Sequence, residues 1–147
     1  MRLLACTLLL LSTACSEPKD PPAAEGAFYH QEGPDGAMLH LAEQPVRILP
    51  TSSSTADIAL ALVSPERLAG LPETVRSYSH EIALNGFPAD LPTFNNYNGE
   101  SLLALSPDLV IGHIYQDLGT TMVLRKAGVP VYSLGFPSSV EDIITDV

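Results

Sequence analysis

The strongest constraint on the fold is the alternation of strands and helices over short loops from residue 109 onward. Leu109-Val110-Ile111 is a continuous apolar run, the pattern of a parallel strand buried on both faces. Thr120 to Ala127 reads as a helix ended by Gly128, with Pro130 just beyond. Glycine closes a helix in the left-handed conformation, and proline cannot continue one. Val131 to Leu134 is the next strand, and Ser138 opens a further helix, with Glu141 three places later as a capping box. Strands and helices joined this closely imply βαβ units. The expected fold is therefore α/β, a parallel sheet with helices on both faces. Val147 falls inside the last helix, so the chain is expected to be cut short there.

Upstream the signals are sparser. Met38 to Leu41 reads as a short edge strand and Val46 to Leu49 as a second apolar run. Ser54 to Val63 reads as a helix capped by Ser54, with Asp57 in its first turn, where a negative charge suits the dipole. Its apolar residues lie nearly all round, so burial on all sides is expected. Leu68 to Leu71 gives another strand, followed by a long polar connection through Tyr78, His80 and Phe87. Glu100 to Leu105 forms a helix that must stop before Pro107.

The first fifteen residues are not part of the fold. Arg2 precedes the apolar stretch Leu3 to Leu11, which is shorter than the roughly 20 apolar residues of a membrane-spanning helix and reads as an export signal. Ser12-Thr13-Ala14 leads into Cys15, an arrangement that resembles the lipobox of bacterial lipoproteins, although Ser12 stands where that motif prefers leucine. The alternative is an ordinary secretory signal cleaved near Ala14. With Cys6 removed in the signal, Cys15 is the sole cysteine left, and lipidation accounts for an exported chain without a pairing partner. Residues 16–35, with Pro18, Pro21, Pro22 and Pro34, read as a tether, which leaves 36–147 for the folded lobe. At 147 residues with 46% apolar composition there is room for one domain with a sizeable core. A net charge of −10 and the lack of any basic run argue against nucleic acid as a partner.

Several segments in order carry a family resemblance. They are Val46-Arg47-Ile48-Leu49, Thr55 to Leu62, Pro65-Glu66-Arg67-Leu68-Ala69-Gly70, Glu100 to Ile111, and Leu124-Arg125-Lys126-Ala127-Gly128-Val129-Pro130-Val131. Together they resemble the substrate-binding proteins of ABC importers for ferric siderophores, haem and cobalamin, whose two lobes are joined by one long helix. The resemblance covers 36–147, the N-terminal lobe, in a family whose members run to roughly twice this length. It implies a non-enzymatic protein with no permanent cofactor that carries an iron chelate, haem or cobalamin as ligand. It further implies an ABC permease and its ATPase as partners, with the chain on the periplasmic face of a bacterial membrane, or the outer face of the cell membrane, anchored through Cys15.

In an open parallel sheet, ligands sit beyond the carboxyl ends of the strands. That edge should hold Ser52, Ser53, Ser54, Tyr78, His113, Tyr115 and Phe136, bordered by Asn95-Asn96-Tyr97-Asn98. Its hydroxyls, amides and aromatics suit a large, rigid, partly apolar ligand. The resemblance implies that Tyr97 ligates iron if the ligand is haem; as an ordinary residue it would pack over the start of a helix. Ser52 to Ser54 could bind ligand with the helix amides or serve only as cap and turn. His113 is open to ligation or to a structural hydrogen bond. Glu100 matches a permease-docking glutamate of the family, or is a first-turn carboxylate favoured by the helix dipole. No histidine or cysteine spacing suggests a zinc or manganese site, and His30 and His40 fall outside the cleft. Competing readings are an exported α/β hydrolase-like enzyme and a degenerate lipoprotein that no longer transports. The first lacks a G-x-S-x-G elbow, a phosphate-binding loop and a placeable Ser/His/Asp set.

Overall fold

The computed structural model describes residues 28–136 and 138–142. The expected signal with Cys15, residues 16–27 of the expected tether, Pro137 and residues 143–147 lie outside them. In chain order the elements are β1 (Tyr29–Glu32), β2 (Met38–Leu41), β3 (Ile48–Pro50), α1 (Ser53–Leu62), β4 (Leu71–Pro72), α2 (Val75–Tyr78), α3 (His80–Asn85), β5 (Thr93–Phe94), α4 (Gly99–Leu103), β6 (Leu109–His113), α5 (Leu118–Lys126) and β7 (Val131–Leu134). A 3-10 turn at Pro65–Arg67 follows α1.

The central sheet is parallel, with strand order β3-β6-β7. Leu68 adds one parallel bridge to Ile48 at its free edge. Because side chains alternate across a strand, Leu49, Val110 and Val131 face one way and pack with Leu102 of α4 and Leu124 of α5. Ile48, Leu109, Ile111 and Tyr132 face the other, against Ala56 and Ala59 of α1 and Leu39 and Leu41 of β2. Helices thus cover both faces of a parallel sheet, as expected.

Residues 29–32, inside the segment expected to be a tether, instead pair antiparallel with β2. The Gly33–Ala37 loop closes this hairpin through the Gly33 amide on the Ala37 carbonyl at 2.8 Å, with Gly36 at φ +72°. Its inward positions are Tyr29 and Gln31, not aliphatic residues, so the sequence carries no apolar strand pattern there. Asp35 anchors the loop to the body by an ion pair of 2.7 Å with Arg125. Burial alone would raise the Asp35 pKa, but the bonds from Arg125, the Ala37 amide and Ser133 lower it.

Helix α1 starts one residue before Ser54, and its cap is Ser52. The Thr55 amide donates to Ser52 Oγ at 3.2 Å, and the Ser52 amide to Thr55 Oγ1 at 2.9 Å, a reciprocal box that Ser54 cannot make. Asp57 consequently falls beyond the first turn and accepts from the Ser79 hydroxyl and from the His80 and Glu81 amides at the start of α3. The expectation of burial all round fails too. Only one stripe (Thr55, Ala56, Ala59) is buried, and Leu62 is 66% exposed, because a single face of α1 meets the sheet.

The expected strand at 68–71 resolves into the Leu68 bridge and the two-residue β4, which pairs parallel with β5. The connection expected to be loop holds α2, α3 and β5. Downstream, α4 starts at Gly99 under an Asn98 cap, and α5 starts at Leu118 under an Asp117 cap whose carboxylate takes the Thr120 amide at 2.6 Å. At the end, Ser139 and Asp142 form a reciprocal box one residue beyond the expected Ser138 and Glu141: the Asp142 amide donates to Ser139 Oγ and the Ser139 amide to the Asp142 carboxylate.

Candidate functional site

Three loops meet at the carboxyl edge of the central sheet. The first is Thr51 and the start of α1, the second is the turn 113–117, and the third is Gly135-Phe136 after β7. Gln116 binds the first two together. Thr51 Oγ1 donates to Gln116 Oε1 at 2.6 Å, the His113 amide donates to the same oxygen at 3.1 Å, and Gln116 Nε2 donates to the Thr51 carbonyl. Gly112 leaves room for this clamp, since a Cβ there would lie 2.3 Å from Gln116 Oε1. Thr51 lies at the strand end, where the sequence places the rim, but Gln116 does not show in the sequence, because an uncharged amide within a turn carries no pattern of its own.

The clamp turns His113 outward over α1. Its Nε2 lies 2.9 Å from Ser54 Oγ, while Nδ1 is buried without a hydrogen bond of ordinary geometry. Burial pushes the His113 pKa down; the nearby Gly135 backbone favours the protonated ring and only partly offsets this. The ring is therefore a neutral imidazole near neutral pH. Tyr115 stacks on it, with centroids 5.0 Å apart and planes 9° apart, and Phe136 meets Tyr115 edge to face at 6.2 Å. Tyr115 is 64% exposed and Phe136 72%. The result is an aromatic shelf open to solvent, with a hydroxyl and an imidazole at one end. Such a surface can stack on a planar or bulky apolar ligand and offer one hydrogen bond or one ligating nitrogen.

Of the expected rim residues, the structure brings together Ser54, His113, Tyr115 and Phe136. Ser52 is occupied as the α1 cap, and Ser53 Oγ donates to Thr74 Oγ1 at 3.1 Å, tying α1 to the start of α2. Tyr78 ends α2 and is exposed, but no described contact joins it to the shelf. Tyr97 is half-buried against the cluster of Leu49, Leu102 and Leu124. Burial raises its pKa, the Thr121 hydroxyl pulls it down, and the Asp117 carboxylate adds to the rise, so the side chain stands as a neutral phenol packed on α5.

Glu100 is exposed in the first turn of α4 and lines a shallow depression with Asn98, Asp117 and Thr120. Asp117 is held below the usual carboxylate range, chiefly by the Thr120 amide. The floor of this depression is tight: a Cβ on Gly99 would lie 2.4 Å from Val123 Cγ1, so α4 can approach α5 this closely there only with glycine at 99.

The Ser54–His113 pair also has the spacing of a nucleophile and its base. A working triad needs a third group on the far nitrogen, and among the described residues none bonds His113 Nδ1. No group of three or more His, Cys, Asp or Glu side chains that could hold a metal exists among the described residues. No helix among them is long and apolar enough to cross a membrane.

No protein-family model matches the chain, and no curated protein sequence does. Solved structures do match. A periplasmic haem-binding protein from Pseudomonas aeruginosa aligns at 26% identity and TM-score 0.56, over 70% of this chain and 36% of that one. A possible iron-binding, periplasmic solute-binding protein from Staphylococcus epidermidis aligns at 24% identity and TM-score 0.56, over 71% and 40%. A molybdate periplasmic binding protein of an ABC transporter from Haemophilus influenzae aligns at 18% identity and TM-score 0.61, over 73% and 34%. The chain thus spans at most two fifths of the length of these structures, and it shares with them the α/β fold of periplasmic binding proteins.

Proposed function

We propose that this chain is the solute-binding component of an ABC importer and that the carboxyl edge of its sheet forms one wall of the ligand site. The observation that carries this reading is the exposed shelf of His113, Tyr115 and Phe136 with Ser54 at its end, at the place where open α/β sheets bind ligands. The shelf favours a ferric siderophore, haem or cobalamin, each large, rigid and partly apolar. Haem suits it best, since a neutral imidazole is already at hand and porphyrin stacks on aromatic rings; Tyr97 would add a second iron ligand only by leaving its packed position. Partners on this reading are an ABC permease and its ATPase. Glu100, with Asp117 beside it, would meet arginines of the permease. Export, and anchoring through a lipid on Cys15, complete the proposal.

Absorbance titration of the purified chain with haemin, a ferric hydroxamate and cobalamin tests it. Saturable binding of one of the three, weakened in Tyr115→Ala and His113→Ala, is expected; no binding to any of them overturns it. The Ser54–His113 contact supports a second reading, an exported hydrolase. Covalent labelling of Ser54 by a serine-reactive fluorophosphonate, abolished in His113→Ala, would favour that reading.

A further inference from the structure

We propose that the β1–β2 hairpin carries a two-histidine site for a borderline divalent cation such as Zn2+, Cu2+ or Ni2+, separate from the carboxyl edge of the central sheet. His30 and His40 are ten residues apart in sequence, a spacing with no metal-binding signature, but the hairpin register sets them directly opposite each other. Their side chains share the hairpin's outer face, while Leu39 and Leu41 turn inward to the core.

The two Nδ1 atoms lie 3.4 Å apart, with the rings nearly perpendicular at 79° and centroids 5.7 Å apart. Two facing ring nitrogens can share one proton in a hydrogen bond, or they can share a metal. Two Zn–N bonds of about 2.0–2.1 Å at a tetrahedral angle span roughly 3.3–3.4 Å between the nitrogens. The separation of the pair therefore matches the bite distance of a tetrahedral centre, and a cation held there would displace any proton between the two nitrogens. Neutral imidazole selects zinc, copper and nickel over magnesium and calcium, which want oxygen.

The surroundings permit a cation. Arg125, which with His40 and Met38 lines a shallow depression beside the hairpin, is paired with Asp35 at 2.7 Å. Met38 and Glu32 sit opposite each other on the same outer face, next to the histidines. The Glu32 carboxylate reaches toward the Gly36 turn, leaving the remaining positions to water or to a donor brought by another molecule. A metal here would clip β1 to β2 and add to the hold that Leu39, Leu41 and the Asp35–Arg125 pair already give the hairpin.

The chain has four histidines, so each can be tested alone. Zinc chloride is titrated into the full chain by calorimetry. One zinc per chain is expected, with affinity lowered by roughly tenfold or more in His30→Gln and in His40→Gln, the scale on which even outer-shell partners act. His80→Gln and His113→Gln should leave it unchanged. Because either hairpin substitution could loosen the strands, unaltered protein is also titrated with substoichiometric Cu2+, and the NMR signals it broadens are read. Broadening that begins at His30 and His40 supports the site. Broadening that begins at His113, or zinc affinity indifferent to both hairpin variants, overturns it.

Discussion

The two faces of the central sheet are closed in different ways. On the α4–α5 face, Leu49, Leu102, Val110 and Leu124 are all fully buried, and the helices approach so closely that Gly99 is required between them. On the other face α1 covers only part of the sheet. The hairpin stands off the rest and leaves an open apolar cleft of about 370 Å³ lined by Phe28, Tyr29, Leu39, Leu41, Ile111 and Tyr132. The first face is the better sealed, and the carboxyl edge joins it through β6 and the Gln116 clamp. The second face contributes less per residue, because part of its apolar surface still meets water.

Large-to-small substitutions should expose this asymmetry. Leu124→Ala creates a closed cavity and is expected to cost about 2–5 kcal/mol. Leu39→Ala, beside the open cleft, leaves no sealed void and should cost nearer the transfer value, about 2 kcal/mol. Urea denaturation of both variants measures the difference, and equal losses would erase the distinction between the faces.

Gly99→Ala comes next. The new methyl must displace Val123, and overpacking of this kind costs about 1–3 kcal/mol. Adding Val123→Ala to Gly99→Ala should return part of that loss; no recovery would mean that the clash is not the cause.

Asp57 tests the α1 side. Burial would raise its pKa, but the Ser79 hydroxyl and the His80 and Glu81 amides outweigh that and hold it low. Its contribution is therefore present above the unfolded carboxylate pKa and disappears as pH falls through the lower folded value. Asp57→Asn is expected to cost about 1–2 kcal/mol at neutral pH. Melts from pH 7 downward should show the gap to the unaltered protein closing below about pH 4.

The smallest effect is expected at the shelf. Tyr115 is 64% exposed, and Tyr115→Ala should change stability by no more than about 0.5 kcal/mol. Its denaturation midpoint should match the unaltered protein while ligand affinity falls.

The same contrast explains what could be read in the sequence. Residues 109–134 declare themselves: β7 spans Val131–Leu134 as expected, and Gly128 takes the positive φ, +82°, that its place after α5 foretold. There local propensity and tertiary packing ask for the same residues. Met38–Leu41 is a strand as expected, but β1 and β5 carry no apolar pattern of their own, and β4 is only the end of the strand expected at 68–71, paired with β5 more than twenty residues on. His30 and His40 become a pair only once β1 is known. At the candidate site, Ser54, His113, Tyr115 and Phe136 were placed by the rule that ligands lie beyond strand ends. Tyr97 shows the limit of that rule, since its ring packs half-buried against Leu49, Leu102 and Leu124. Gln116 was missed because its role depends on Thr51, a residue 65 positions away.

The most direct test of the account is a map of backbone amide NMR shifts on adding haemin to the full chain. The account predicts that the largest changes fall at Ser52–Ser54, His113–Gln116 and Gly135–Phe136, with the cleft residues Phe28, Tyr29, Leu39 and Leu41 little affected. Changes centred on that cleft, with the carboxyl edge silent, would place the ligand on the open face and contradict the site proposed here.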